Sequence, residues 1–185
     1  GNVLTSDGTT WVSSAVAATL IGETDTASPY LTALGSGAGV NNAADGLRNT
    51  AIGYEALNTN TTGDDNVAIG YAALKNSTSA SDNIAIGYQT LFSTTTGGSN
   101  TAQGYRAMYA NTIGTSNTAM GFNALLSNQS GGSNSAVGYN ALTSNTTASS
   151  NTAVGREALE LNTTGASNVA VGYQALETNT TGQQN

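Results

Sequence analysis

Cysteine and histidine are both missing from this chain of 185 residues. Without them there is no disulfide framework, no imidazole base, no thiolate nucleophile and no common zinc constellation. Either a cytosolic or an extracellular setting tolerates a cysteine-free chain, so compartment is left open by this absence. Charge is scarce as well, at 8% of residues, and the only cations are Arg48, Lys75, Arg106 and Arg156 against a net charge of -7. No basic stripe exists for phosphate contacts, which argues against nucleic acid as a partner. The longest apolar run, Trp11 to Gly22, is too short and too interrupted by Ser and Thr to span a bilayer, and it lacks the basic flank of a signal peptide.

What is present is a period. Eight consecutive copies of a seventeen-residue unit run from Asn49 to Gln184, and aligned on glycine they read N-T-A-I-G-Y-x-A-L-x-x-N-T-T-G-x-S. A short fixed period marks a unit that stacks on its own copies, so function is expected on a surface that the array displays, not in a buried pocket. Asn49, Asn66, Asn83, Asn100, Asn117, Asn134, Asn151 and Asn168 hold position one, and position three is Ala in every copy. Gly53, Gly70, Gly87, Gly104, Gly121, Gly138, Gly155 and Gly172 hold position five. β-Type residues alternate around them, which predicts a short strand over TAIGY.

Leu at position nine, replaced once by Met108, predicts a second short strand or an extended corner. Asn and Gly at positions twelve and fifteen read as the return bend, since both reach left-handed backbone conformations. A helix over YxALxxN has only five or six uninterrupted residues, well below the roughly 12 at which a lone helix becomes viable. The fold expected is therefore all-β: a repeat solenoid of eight coils, either a parallel β-roll or a triple β-helix. At about 4.8 Å per coil the array makes a rod of roughly 40 Å with identical side chains in ladders.

Ala at three and Gly at five suit close backbone approach. The residues at four and nine are expected to supply the apolar filling, and stacked amides along the axis are expected of the position-one Asn column. The aromatic column at position six (Tyr54, Tyr71, Tyr88, Tyr105, Phe122, Tyr139 and Tyr173) shares a face with position four by strand alternation. So long an apolar stripe exceeds what a soluble monomer normally exposes, so an oligomer, a homotrimer above all, is expected.

NTAIGYEALNTNTTG (49–63), NTAVGREALELNTTG (151–165) and NVAVGYQALETNTTG (168–182) resemble the repeats in shafts of bacteriophage tail fibres. They are also similar, with a longer period, to the head repeats of trimeric autotransporter adhesins, whose N-x-A-I-G core they share. The resemblance covers residues 49–185, and the opening GNVLTSDGTTWVS is similar to a short segment that often precedes fibre modules. It implies a homotrimer of parallel β-rolls or an intertwined triple β-helix, on a virion or cell surface, used for attachment. Implied partners are further copies of the chain, other fibre or virion proteins at the ends, and a host surface glycan or protein; neither nucleic acid nor membrane is among them. Gln103 at position four and Arg156 at position six depart from the pattern.

Residues 1–48 read as an N-terminal cap or junction, with a hairpin at VLTSDGTTWV around an Asp-Gly turn and Trp11 as the sole tryptophan. Asn42, Gly46 and Arg48 fall where a degenerate preceding unit places its Asn, Gly and last residue. The chain opens at Gly1 and closes at Asn185, the first residue of a ninth unit, and is expected to be a piece of a longer protein.

No catalytic residue, cofactor site or metal site is expected, and the chain is read as a non-enzyme. Glu157 and Glu160 stand three apart, a pairing known from glycoside hydrolysis, yet read as solvated surface acids without a cleft to separate their pKa values. Asp64, Asp65 and Asp82 lie beside turns, but the glycine-aspartate nonapeptide of calcium-binding β-rolls is absent. The expected function is a structural segment of a phage tail fibre, located in the virion, that takes part in attachment to a bacterial surface. A bacterial trimeric surface adhesin is the alternative closest to it. From another class comes an ice- or glycan-binding solenoid, resting on the Thr array at positions thirteen and fourteen.

Overall fold

A computed structural model describes residues 30–42 and 46–185; the expected hairpin and Trp11 lie outside them. Each unit contributes one three-residue strand at positions two to four. The strands run from β1 (Thr32–Leu34) and β2 (Thr50–Ile52) through to β9 (Val169–Val171), and all nine lie parallel in one sheet in chain order. Register never slips within the array: Ala51 faces Ala68, which faces Ala85, and so on to Ala153 and Ala170. The chain is a β-solenoid in which each strand pairs with the next strand of its own chain.

Hydrogen bonding between coils continues around the whole coil, not only in the strand. In the unit starting at Asn66, the N–H groups of Val67, Leu74, Asn76 and Thr78 donate to carbonyls of the following coil at 2.8–3.2 Å. Those of Gly70, Ala72 and Asp82 donate to the preceding coil at 2.7–3.0 Å. With donors facing both ways along the axis, each coil is held by both neighbours.

So small a coil encloses little volume, and the residues that fit are Ala at position three, Ala or once Thr90 at eight, and Leu or once Met108 at nine, all fully buried through the central units. Position four does not join them. Ile86, Met120, Val137 and Val154 are exposed, because Ala at three already faces inward and strand alternation turns four outward with two and six. The expectation that position four fills the interior is thus corrected.

Position nine is corrected too: it carries no strand. The segment from six to eleven is a run of turns in which positions seven and nine take left-handed backbone angles, for example Glu55 at φ 52° and Leu57 at φ 49°. Alternating handedness folds the chain back within six residues while still pointing Leu inward. Gly at five opens the turn at φ between 127° and 141° across the array.

The coil preceding Asn49 has one extra residue, since Thr32 pairs with Thr50. Asn42 takes the place that Asn60 has in the next coil, with its Oδ1 accepting from Asn60 Nδ2 at 2.6 Å and its Nδ2 donating to the Gly46 carbonyl. Among the described residues no helix is long and apolar enough to cross a membrane.

Candidate functional site and its side-chain ladders

Two buried columns of asparagine run the length of the rod. At position one, each Oδ1 accepts the backbone N–H of the next coil's Asn: Asn66 onto Asn49 at 2.9 Å, Asn117 onto Asn100 at 2.9 Å, Asn185 onto Asn168 at 3.0 Å. Each Nδ2 donates to the carbonyl at position fifteen of its own coil, as Asn117 does to Gly131 at 2.8 Å. The second column, at position twelve, was not foreseen as a ladder: Asn111, Asn128, Asn145, Asn162 and Asn179 are linked Nδ2 to Oδ1 at 2.9–3.2 Å. These side chains also reach the position-fifteen carbonyl, so Gly131 accepts from both Asn117 and Asn128. Ser77 and Thr94 interrupt this column, and the buried Ser77 Oγ has no partner. Their shortness beside six Asn at one position was the available signal.

The glycine column works through backbone proximity. A Cβ on Gly53, Gly70, Gly87, Gly104, Gly121, Gly138 or Gly155 would meet the carbonyl oxygen of the glycine one coil on, whereas on Gly172 it would meet nothing within 4 Å.

Positions two, four and six form a flat outer face. Six rings, Tyr54, Tyr71, Tyr88, Tyr105, Phe122 and Tyr139, stack with centroids 4.9–5.2 Å apart and planes within 5–13°. Arg156 stands where the seventh ring belongs, its guanidinium 5.5 Å from Tyr139 and 5.6 Å from Tyr173. A planar cation substitutes for a ring because it is attracted to the π-face on either side. Its Nε and Nη2 also donate to Glu157 at 3.0 and 2.8 Å, and Gln174 holds the other carboxylate oxygen at 3.0 Å. Glu157 is thus buried and partnered, contrary to its reading as a solvated acid. With the half-buried Glu160 and Glu177 it forms a group of three carboxylates with oxygens within 4.8 Å of one another.

Replacing Arg156 with Ala should lower stability modestly, through the lost cation–π contact and through the Glu157 carboxylate losing its counter-charge. Chemical denaturation of the variant checks this. Arg156→Tyr, which fills the gap with a ring, should recover part of that loss.

Positions seven and ten make a variable corner. Lys75 pairs with Glu55 at 2.7 Å and stands 6.0 Å from the Phe92 ring; Phe92 stacks on Tyr109 at 5.1 Å; Arg106 covers Tyr109 at 4.2 Å. At the coil ends, Asp64 accepts the Leu47 N–H at 2.7 Å and Asp65 pairs with Arg48 at 2.6 Å. The Arg48 hydrogen bonds hold the Asp65 carboxyl below its ordinary range. A lowered folded-state pKa means that the pair stabilises above the unfolded value and fades as pH falls through the lowered one. The melting difference between wild type and Arg48→Ala should therefore be small at neutral pH, fade in acid as Asp65 takes up its proton below the ordinary carboxylate range, and vanish also in about 1 M salt because both partners are exposed.

Fold and ladders together define a parallel β-solenoid repeat protein. No protein-family model, characterised protein or solved structure matches the chain.

Proposed function

We propose that this chain is a non-catalytic shaft segment of a trimeric fibre, of the phage tail-fibre kind, which holds attachment modules away from a virion. The observation that carries the reading is the flat face. Over the array it measures roughly 35 by 15 Å by strand and coil spacing, about 500 Å² in projection, near the upper limit of what a monomer exposes. It bears Ile86, Met120, Val137 and Val154 beside the six stacked rings. Three such faces turned toward a common axis would cover one another, with Gln103, Arg156 and the hydroxyls of Thr50, Thr101, Thr118, Ser135 and Thr152 as polar members beside the apolar columns at positions four and six. Stiffness follows from coils hydrogen-bonded on both sides, and a stiff rod is what a spacer requires.

Placing a charge on the face tests the packing. The double variant Ile69→Lys, Val137→Lys should dissociate to single chains while keeping the circular dichroism of the solenoid, since both side chains point outward. An unchanged oligomer would remove the face from the interface. Antibodies raised against the rod and imaged by electron microscopy should label virion fibres; labelling of a bacterial envelope would favour the surface adhesin.

The ice-binding reading has less support. At position thirteen the hydroxyls of Thr61, Thr78, Thr95, Thr112, Thr146 and Thr163 donate to carbonyls of the next coil at 2.8–3.2 Å, so they are engaged along the rod. Unaltered freezing behaviour in a thermal-hysteresis assay would dismiss it.

A further inference from the structure

We propose that the tyrosines of the outer column are a site of oxidative cross-linking, at which dityrosine bonds staple successive coils of one chain. Tyr54, Tyr71, Tyr88 and Tyr105 are consecutive rungs with centroids 5.1, 5.0 and 5.1 Å apart and planes within 13°. In the single chain all four are 42–47% exposed, so before the proposed trimer covers this face a diffusing oxidant reaches them and the rings keep freedom to tilt edge to edge. A stack fixed by the backbone ladder keeps each phenol beside the next for as long as the solenoid is folded, which turns a bimolecular radical coupling into an intramolecular one.

The chemistry requires a one-electron oxidant, supplied by a peroxidase and hydrogen peroxide. Each of two phenols loses one electron and one proton to give a phenoxyl radical. The radicals join through the carbons ortho to oxygen, and the two displaced ring hydrogens move to the oxygens to restore both aromatic rings. Overall the chain loses two hydrogens per link and one peroxide becomes two waters.

The chain has its own controls. Phe122 carries no phenol and separates Tyr105 from Tyr139, while Arg156 separates Tyr139 from Tyr173. Tyr109 stacks on Phe92, which cannot couple. Tyr30 and Tyr173 are more exposed, at 68% and 64%, yet neither has a tyrosine ring stacked on it among the described residues. If exposure governed coupling, these two would react first. If stacking governs it, they stay free.

The test is peroxidase and peroxide treatment of the folded single chain, obtained as the dissociated double variant Ile69→Lys, Val137→Lys, followed by dityrosine fluorescence and mass spectrometry of proteolytic fragments. Links 54–71, 71–88 and 88–105 within one chain are expected, each with a loss of two hydrogens, and none at Tyr30, Tyr109, Tyr139 or Tyr173. Phe122→Tyr, which the stack already accommodates in shape, should bring Tyr139 into linkage and raise the yield of links. Tyr88→Phe should leave only the 54–71 link. Links confined to Tyr30 and Tyr173, links only between chains, or no links in the folded protein would each overturn the proposal.

Discussion

In the chain of residues 1–185, replacing Gly104 with alanine should lower the stability of the array by about 3 kcal/mol or more, whereas the same change at Gly172, in the last coil of that chain, should cost about 1–2. Both glycines hold a backbone that L side chains rarely adopt, at φ 133° and 127°, so both variants carry the conformational cost. Only at Gly104 does the added methyl also meet the carbonyl of Gly121 in the adjoining coil; Gly172 has open space there. The clash cannot be relieved by a side-chain rotation, because the obstacle is backbone. Either the two coils separate, or the 2.9 Å bond between Gly121 N and Gln103 O is lost along with its neighbours. In a one-dimensional stack such a defect divides the cooperative unit, so the denaturation curve of Gly104→Ala should broaden or split as well as shift. Equal shifts for both variants would mean that coil contact is not what the glycine column protects.

The second large effect is expected at the buried amides. Asn100→Ala removes an Oδ1 that accepts from the Asn117 N–H at 2.9 Å and its Nδ2 at 3.2 Å, and an Nδ2 that donates to Asn83 and to the Gly114 carbonyl. A buried backbone donor then has no partner, and the Gly114 carbonyl keeps only the weaker bond from Asn111 at 3.2 Å. At about 1–3 kcal/mol for each group left unsatisfied, the loss should total about 3–5 kcal/mol. Asn100→Asp keeps the acceptor but buries a charge without a counter-ion, and should be worse at neutral pH than in acid. The same alanine change at Asn111 should cost less, because its column is already broken at Thr94. Urea denaturation of the three variants ranks them directly; a near-silent Asn100→Ala would mean that the ladder is incidental to the stack.

How far the sequence discloses this structure differs position by position. Identity at positions one, three and five in every copy reports sites where neighbouring coils touch, since nothing else would reject all other residues so uniformly. The second Asn column is equally buried but masked by the turn propensity of NTTG, and only its Ser77 and Thr94 replacements hint at a place where size matters. Position four misleads because Ile is apolar, yet its tolerance of Gln103 and Met120 is what an outward position permits. The left-handed conformation of Leu57 and its equivalents has no sequence signal: leucine does not favour it, and closure of a short coil imposes it. Arg156 looks like a defect in sequence and is a rung in space.

The central claim is that the flat apolar face is covered by further copies of the chain. Light scattering or native mass spectrometry of residues 1–185 tests it most directly. A particle of three times 18.4 kDa is predicted. A stable single chain of 18.4 kDa across the micromolar range would contradict the shaft, and would leave the face for water, glycan or another partner.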